Sequence, residues 1–476
     1  MTIQVRRTAT VLKPDQSRVL LRPFVPGDSQ RAGGIIARIL ALPEESAGPL
    51  LEEISAEFSE RHEHIHGLFL ERFEQVREDH AGQQDLSLQK RLLIGSYFFA
   101  EYSLESAALF NPSIVPHTDQ SGLPLGAVRF ILSLRATGEG HISSITFRTG
   151  IIHSDHRIEV LAPRGFLTEP RQIPNPAYEK GLFERKLLEL GLTGEFSRRV
   201  MSRLRDSFSV QELWASLGAE GNEDRHSAGI WMLARSNYEV QFQPGQDLSA
   251  RIIFPATPSQ RNGIEDARFV RFQNEDGSHV YYATFTAYDG KVIMPELVET
   301  ADFLRFRFLT LNGPAARNKG MALFPRKING RYAMLSRQDN ESLFLMYSDN
   351  VHFWNEYQVL LKPVFPWELI QLGNCGSPIE TSAGWLVLSH GVGPMRKYCI
   401  SAFLLDRDDP GKVIGRLRDP LIQPNRDERE GYVPNVVYTC GAMIHNGQLV
   451  IPYGSADHTT SFATVPVDDL LAAMTP

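Results

Sequence analysis

The stretch "RNGIEDARFVRF" (residues 261–272) sets Glu265 and Asp266 side by side behind a glycine, with Arg268 two positions past the aspartate. Charged residues crowd the start of a run that otherwise reads as an apolar strand. If the segment is extended, alternate side chains face opposite sides. Asp266 and Arg268 then share one face, and Glu265 points the other way. Residue type leaves two readings: an ion pair at the rim of a sheet, or a carboxyl acid beside an anion-binding guanidinium.

Outward from that stretch the grammar is β. From about Ile230 to the C-terminus the chain is short apolar runs and turns, with no long helical pattern. "LARSNYEVQF", "VETADFLRFRF" and "MYSDNVHFW", which begin at Leu233, Val298 and Met346, each place Asn or Asp in a turn ahead of an aromatic residue, about 50–65 residues apart. A four-stranded propeller blade takes about 40–50 residues, so the period suits a propeller with insertions; a β-sandwich is the alternative. Upstream, "NPSIVP" (111–116) brackets a change of pattern, and "AVRFILSLRA" after it reads as a buried strand.

The first third reads as helical. Leu51, Ile54, Phe58, Ile65, Phe69, Phe73 and Val76 mark one face of an amphipathic helix. Residues 86–110 predict a second, more buried helix, and residues 178–217 a further helical block. Residues 62–66, "HEHIH", satisfy the H-E-x-x-H pattern that presents two imidazoles to zinc on a helix. However, His62 falls in the middle of the apolar stripe and Arg72 stands where a third ligand would be. A hydrogen-bonded, half-buried histidine is the reading preferred here, and no metal is expected.

Length and composition set the bounds. At 476 residues the chain has room for two or three folding units. Its net charge of −7 lacks the basic excess of a nucleic-acid binder. Cys375, Cys399 and Cys440 form no paired motif, which fits a reducing compartment. The N-terminus has no apolar leader and no run approaches the ~18 apolar residues of a membrane span. A cytoplasmic location is therefore expected, with no nucleic-acid or membrane partner.

Polar groups gather where apolar runs stop. "LFPRKINGRYAMLSRQ" (323–338) brings Arg326, Lys327, Arg331 and Arg337 into a hairpin turned at Asn329–Gly330. "WLVLSHGVG" (385–393) ends on His390, and "VIPYGSADH" (450–458) on Tyr453, Asp457 and His458. Taken in order, these segments resemble glycoside hydrolase family 130, the mannoside phosphorylases and related mannosidases. "GIEDARF" is similar to the family's GIEDPR segment and "FPRKINGRY" to its FPEKINGKY segment. "SDNVHFW", "GSPIETSAGWLVLSHGV" and "YVPNVVYTCGAMIHNGQLVIPYGSAD" follow in the family's order. "FNPSIVP…LRATGEGHISSI" supplies a first blade.

The resemblance implies a mainly β fold, a five-bladed β-propeller over residues 111–476, with an N-terminal helical extension over 1–110 and a helical insertion at about 178–217. It implies inverting phosphorolysis of β-mannosides to α-mannose 1-phosphate and a shortened sugar, with Asp266 as the acid, acting through a sugar hydroxyl. By motif match, Arg268, Lys327, Arg337 and His390 would surround phosphate, and Glu265 and Asp457 would contact sugar. Tyr453 is assigned to a sugar face on residue type. The partners implied are a β-mannoside oligosaccharide and phosphate as co-substrate, with no organic cofactor, since no GxGxxG follows a strand and no phosphate loop is present. The N-terminal helices could pair copies of the chain. A phosphorylase needs cations for its anionic nucleophile, whereas an inverting hydrolase needs a second carboxylate to activate water; Glu380 or Asp457 would serve. A sugar-binding propeller without catalysis is the rival of another class. Ala267 and Arg326 depart from the family's proline and glutamate.

Overall fold

The structure is a computed structural model that describes residues 3–24, 26–80, 85–173, 177–218, 225–288, 290 and 293–475. The chain divides into two compact units, one of Met1–Pro14, Ala107–Arg164 and Glu169–Pro476, the other of Asp15–Ser106 and Gly165–Thr168.

In the smaller unit, a strand pair, Val19–Pro23 with Phe99–Ser103, accompanies helices Ser29–Leu40, Glu44–Ser59, Ile65–His80 and Leu88–Ser96. Their apolar faces meet in a core that includes Ile36, Phe73, Leu93 and Phe98. The expected single helix through residues 51–76 is two helices. The break falls between Ser59 and Ile65, where His64 adopts a left-handed φ of 52°. The "HEHIH" segment therefore straddles a helix start rather than lying along one face. His62 sits in the gap, buried, with its Nε2 2.7 Å from Glu101, and Ser55 meets His66. The second predicted helix is also short. It ends at Ser96, and the aromatic run beyond it enters strand Phe99–Ser103, as residues that fit a pleated surface do.

Among the described residues the larger unit holds five antiparallel sheets of four to six strands. The first is built on Ala108–Pro116, Val128–Thr137 and Ser143–Ile152; the second on Ile264–Gln273, His279–Tyr288, Ile293–Thr300 and Arg305–Thr310; the third on Ala322–Leu323, Tyr332–Ser336, Leu343–Ser348 and Glu356–Leu361. The fourth centres on Gly384–Val392 and Tyr398–Leu405, and the fifth on Gln448–Ser455 and Thr459–Pro466. The strand Arg6–Leu12 closes the edge of this last sheet against Thr459–Pro466, so the helical stretch expected from the first residue begins only after it. Asn329 and Gly330, at φ 49° and 78°, make the tight turn read from the sequence.

Each sheet packs face to face on the next. Ile131 and Phe147 meet Phe269 and Phe285 between the first and second sheets. Phe272 and Leu297 meet Met334 and Met346 between the second and third. Leu335 and Leu345 meet Trp385 and Val387 between the third and fourth, and Leu388 and Ile400 meet Ile451 and Ala463 between the fourth and fifth. Burial on both faces explains why strands such as "GWLVLSHGV" are apolar without alternation. Backbone and side-chain bonds join the neighbours: Phe269 N to Ser113 Oγ, Gln273 N to the Pro325 carbonyl, Leu372 N to that of Glu341, and Tyr398 N to that of Asn435. Leu109 N to the His458 carbonyl and Cys440 N to that of Pro112 return from the fifth sheet to the first.

The helical insertion comprises Lys180–Glu189, Glu195–Ser202, Val210–Leu217 and Arg225–Ser236, with a core of its own around Phe183, Leu187, Leu213 and Leu233. It runs past the expected end at 217, and the "LARSNYEVQF" segment is strand only from Tyr238.

Candidate functional site

A cavity of about 370 Å³ opens among residues from all five sheets and their connecting loops. Its lining includes Asn111 and Arg135 from the first sheet, Glu265, Asp266 and Arg268 from the second, Lys319, Arg337, His390, Arg396 and Tyr398 from the third and fourth regions, and Tyr438 and Asp457 from the fifth.

The strand Ile264–Gln273 is not evenly extended where it meets this cavity. Glu265 pairs with Thr286 and Arg268 with Thr284, so Asp266 and Ala267 together oppose a single residue. Asp266 sits at φ 55°, a left-handed conformation that non-glycine residues adopt rarely and that Asp tolerates better than most. The bulge cancels the alternation expected from the sequence. Glu265 does not turn away: both carboxylates reach Arg135, whose guanidinium lies 2.9 Å from Glu265 Oε1 and 3.4 Å from Asp266 Oδ1. Asn111 Nδ2 donates to Asp266 Oδ1 at 2.7 Å, and Lys319 Nζ lies 3.7 Å from Glu265 Oε2.

Across the cavity two buried arginines form no direct ion pair with any described carboxylate. Arg268, 3 % exposed, donates to the Tyr438 hydroxyl at 2.6 Å and to the Asp266 carbonyl, and its Nε has no partner. Arg337, 8 % exposed, has neither an ion pair nor a side-chain hydrogen bond to any described residue. His390 packs edge-on to Tyr438, with ring centroids 4.9 Å apart. Burial, then the charges of Arg337 and Arg268, holds His390 well below its usual range, so it is neutral. Two buried guanidiniums and a neutral imidazole make a pole suited to an oxyanion.

The carboxyl groups differ in state. Burial pushes Asp266 up, but Arg135, Arg268, Lys319 and the Asn111 bond outweigh it, and the group stays below the ordinary aspartate value. Asp457 is pushed up to about 6 by burial, with Arg135 opposing and the negative charge of Asp266 adding. With Glu265, three carboxyl groups among the described residues line the cavity: two come from the opening segment, where strand alternation would turn one away, and Glu265 and Asp457 stand where the family resemblance implies sugar contacts.

Three expected residues stand elsewhere. Lys327 pairs with Glu275 at 3.2 Å and lies over the Tyr332 ring, in a separate surface depression. Tyr453, 1 % exposed, donates its hydroxyl to Glu428, which also holds Arg7. It is a core residue and offers no face to a sugar. Glu380 is clamped by Arg326 and Arg407, with Arg326 stacked over Trp385, so the cation that departs from the family pattern is neutralised locally. Sequence reasoning missed Arg135, Lys319, Arg396, Asn111 and Tyr438. Asn111 and Arg135 lie within the quoted first-blade segment, but nothing in their spacing marks them as polar groups for a distant cavity.

Residues 245–475 match the family described as beta-1,4-mannooligosaccharide phosphorylase. A 1,2-beta-oligomannan phosphorylase of Thermoanaerobacter sp. is 33% identical over 222 residues, 45% of this chain and 72% of its own length. A beta-1,2-mannobiose phosphorylase from the same organism is 32% identical over 44% of this chain and 68% of its own. A beta-1,4-mannooligosaccharide phosphorylase of Ruminococcus albus is 37% identical over 32% of this chain and half of its own. The cavity is built almost wholly from the matched region, and the chain belongs to glycoside hydrolase family 130.

Proposed function

We propose that the protein is an inverting phosphorylase of β-mannosides, which releases α-mannose 1-phosphate and a sugar shortened by one mannose. The observation that carries this reading is the pair of buried guanidiniums, Arg268 and Arg337, placed in one cavity with Asp266 and without carboxylate partners of their own. A buried cation without a counter-charge is costly; burial and the charge of Arg268 lower the pKa of Arg337, and a phosphate dianion between the two arginines offsets their repulsion. The relatives are phosphorylases by name, which agrees. Five sheets linked in succession, last to first, support a five-bladed propeller with its funnel at this cavity.

In this scheme phosphate rests on Arg268, Arg337 and neutral His390, and a phosphate oxygen attacks the anomeric carbon from the face opposite the leaving group. The glycosidic C–O bond breaks, and the leaving oxygen receives a proton that originates on Asp266 and passes through a sugar hydroxyl. The hydrogen carried by HPO₄²⁻ replaces it, so the reaction is proton-neutral and reversible. The charges of Arg135, Arg268 and Lys319 by themselves hold Asp266 ionised. A dianion on Arg268 offsets part of that field and lets the carboxyl take up its proton. Glu265 and Asp457 contact mannose hydroxyls.

Hydrolysis is the second reading, favoured by the three carboxyl groups in the cavity, since one could activate water. The two are separated by incubating the protein with β-1,2- and β-1,4-linked manno-oligosaccharides, with and without phosphate. Mannose 1-phosphate formed only with phosphate supports the proposal; free mannose independent of phosphate overturns it in favour of hydrolysis. No product from either linkage removes the catalytic reading.

A further inference from the structure

We infer that Arg396 captures phosphate at the mouth of the cavity and passes it to the buried Arg268–Arg337 pair, an inference that rests on the phosphorylase reading. Arg396 lies on the turn between strands Gly384–Val392 and Tyr398–Leu405 of the fourth sheet, and unlike the two buried arginines it is exposed. Met395 and Arg396 follow one another in left-handed backbone, at φ 58° and 54°. Such backbone is unfavourable for a residue other than glycine and persists only where the surroundings impose it. Here the turn is tied by Gly393 N to the Lys397 carbonyl at 3.0 Å. Its effect is to leave Met395 91 % exposed while Arg396 lines the cavity.

From that position a stacked column leads inward. The Arg396 guanidinium lies 5.9 Å from the Tyr398 ring centroid, and Tyr398 stacks on His390 at 5.9 Å and 12°. His390 meets Tyr438, whose hydroxyl accepts from Arg268. Asp457 feels the Arg396 charge, yet no ion pair forms between them among the described residues. Arg135 and Lys319 are engaged by Glu265 and Asp266. Arg135, Arg268, Lys319, Arg337 and Arg396 outnumber Glu265, Asp266 and Asp457 around the cavity, an excess of positive charge that favours a phosphate dianion.

The test compares wild type with Arg396→Met, which keeps bulk over Tyr398, and Arg396→Lys, which keeps charge. kcat/KM for phosphate and for the oligosaccharide are measured from low to high ionic strength, with phosphate binding followed separately by calorimetry. The expected result is a drop of about tenfold in kcat/KM for phosphate in Arg396→Met at low salt, a flatter salt dependence, a much smaller effect on the oligosaccharide, and recovery in Arg396→Lys. Equal losses on both substrates, or none, would overturn the role of Arg396 while leaving the phosphorylase intact. Absence of phosphate binding in wild type would instead bring down the reading beneath it.

Discussion

Asn111 and Asp266 hold the same place in two neighbouring sheets. Each is the first of two residues that bulge against one partner on the next strand, Asn111 with Pro112 and Asp266 with Ala267. Both are left-handed, at φ 48° and 55°, and the amide of one donates to the carboxylate of the other at 2.7 Å. The paired bulges turn two polar side chains toward one point from strands that are otherwise apolar. They also draw Glu265 into the cavity, which an unbroken strand would not do.

Asp266→Asn keeps a residue suited to the left-handed position and removes the acid. Phosphorolysis is expected to fall by about 10²–10⁴-fold. Phosphate should still raise the melting temperature, because Arg268 and Arg337 are untouched. A variant with near wild-type turnover would remove Asp266 from the chemistry.

Arg337→Met separates function from stability. Arg337 is buried without an ion pair, and burial together with Arg268 lowers its pKa. Replacing it with an apolar side chain of similar length removes an uncompensated charge, so the phosphate-free protein should melt at a higher temperature than wild type. The phosphate-induced rise in melting temperature should shrink and KM for phosphate should increase. Lower stability together with unchanged phosphate affinity would contradict the oxyanion pole.

Two lysines test the corrected site. Lys319 reaches Glu265 in the cavity, whereas Lys327 pairs with Glu275 outside it. Lys319→Ala should lower kcat/KM by tenfold or more, at about 1.4 kcal/mol per decade. Lys327→Ala should stay within about 0.5 kcal/mol of wild type in stability, with activity retained. The reverse ranking would restore the motif-based assignment of Lys327.

The legible parts of the sequence were those governed by local rules. The apolar strands, the Asn329–Gly330 turn and the helical character of residues 44–80 and 180–217 follow from periodicity and turn chemistry. The GIED segment stood out because charge at a strand start is unusual. What failed depended on backbone detail or on partners far along the chain. Strict alternation misplaced Glu265 because a one-residue bulge leaves no mark in composition. Tyr453 looked like a sugar platform because its hydroxyl's partner, Glu428, and the Arg7 beyond it are distant in sequence. Arg135 was hidden in a strand that reads as core, although its head group joins both carboxylates across two sheets.

Glu296 offers a pH test independent of the cavity. It is fully buried in strand Ile293–Thr300, and among the described residues Ser259 Oγ and Gln260 Nε2 donate to its carboxyl. Burial pushes it up to about 7, against which those two bonds and the charge of Lys186 act. A carboxyl raised above its unfolded value, ordinarily about 4.3–4.5, favours the folded state while protonated. That contribution is full below the unfolded value and is lost as pH rises through about 7, a loss on the order of a few kcal/mol. Glu296→Gln keeps the shape and cannot ionise, its amide oxygen accepting from Gln260 and its NH₂ donating to Ser259. Variant and wild type should therefore unfold alike near pH 4–5, and the variant should be the more stable by pH 8–9. Denaturant midpoints taken across that range decide it: a gap that opens with pH matches the buried proton, and a constant offset would show that Glu296 is ionised in the fold at every pH tested.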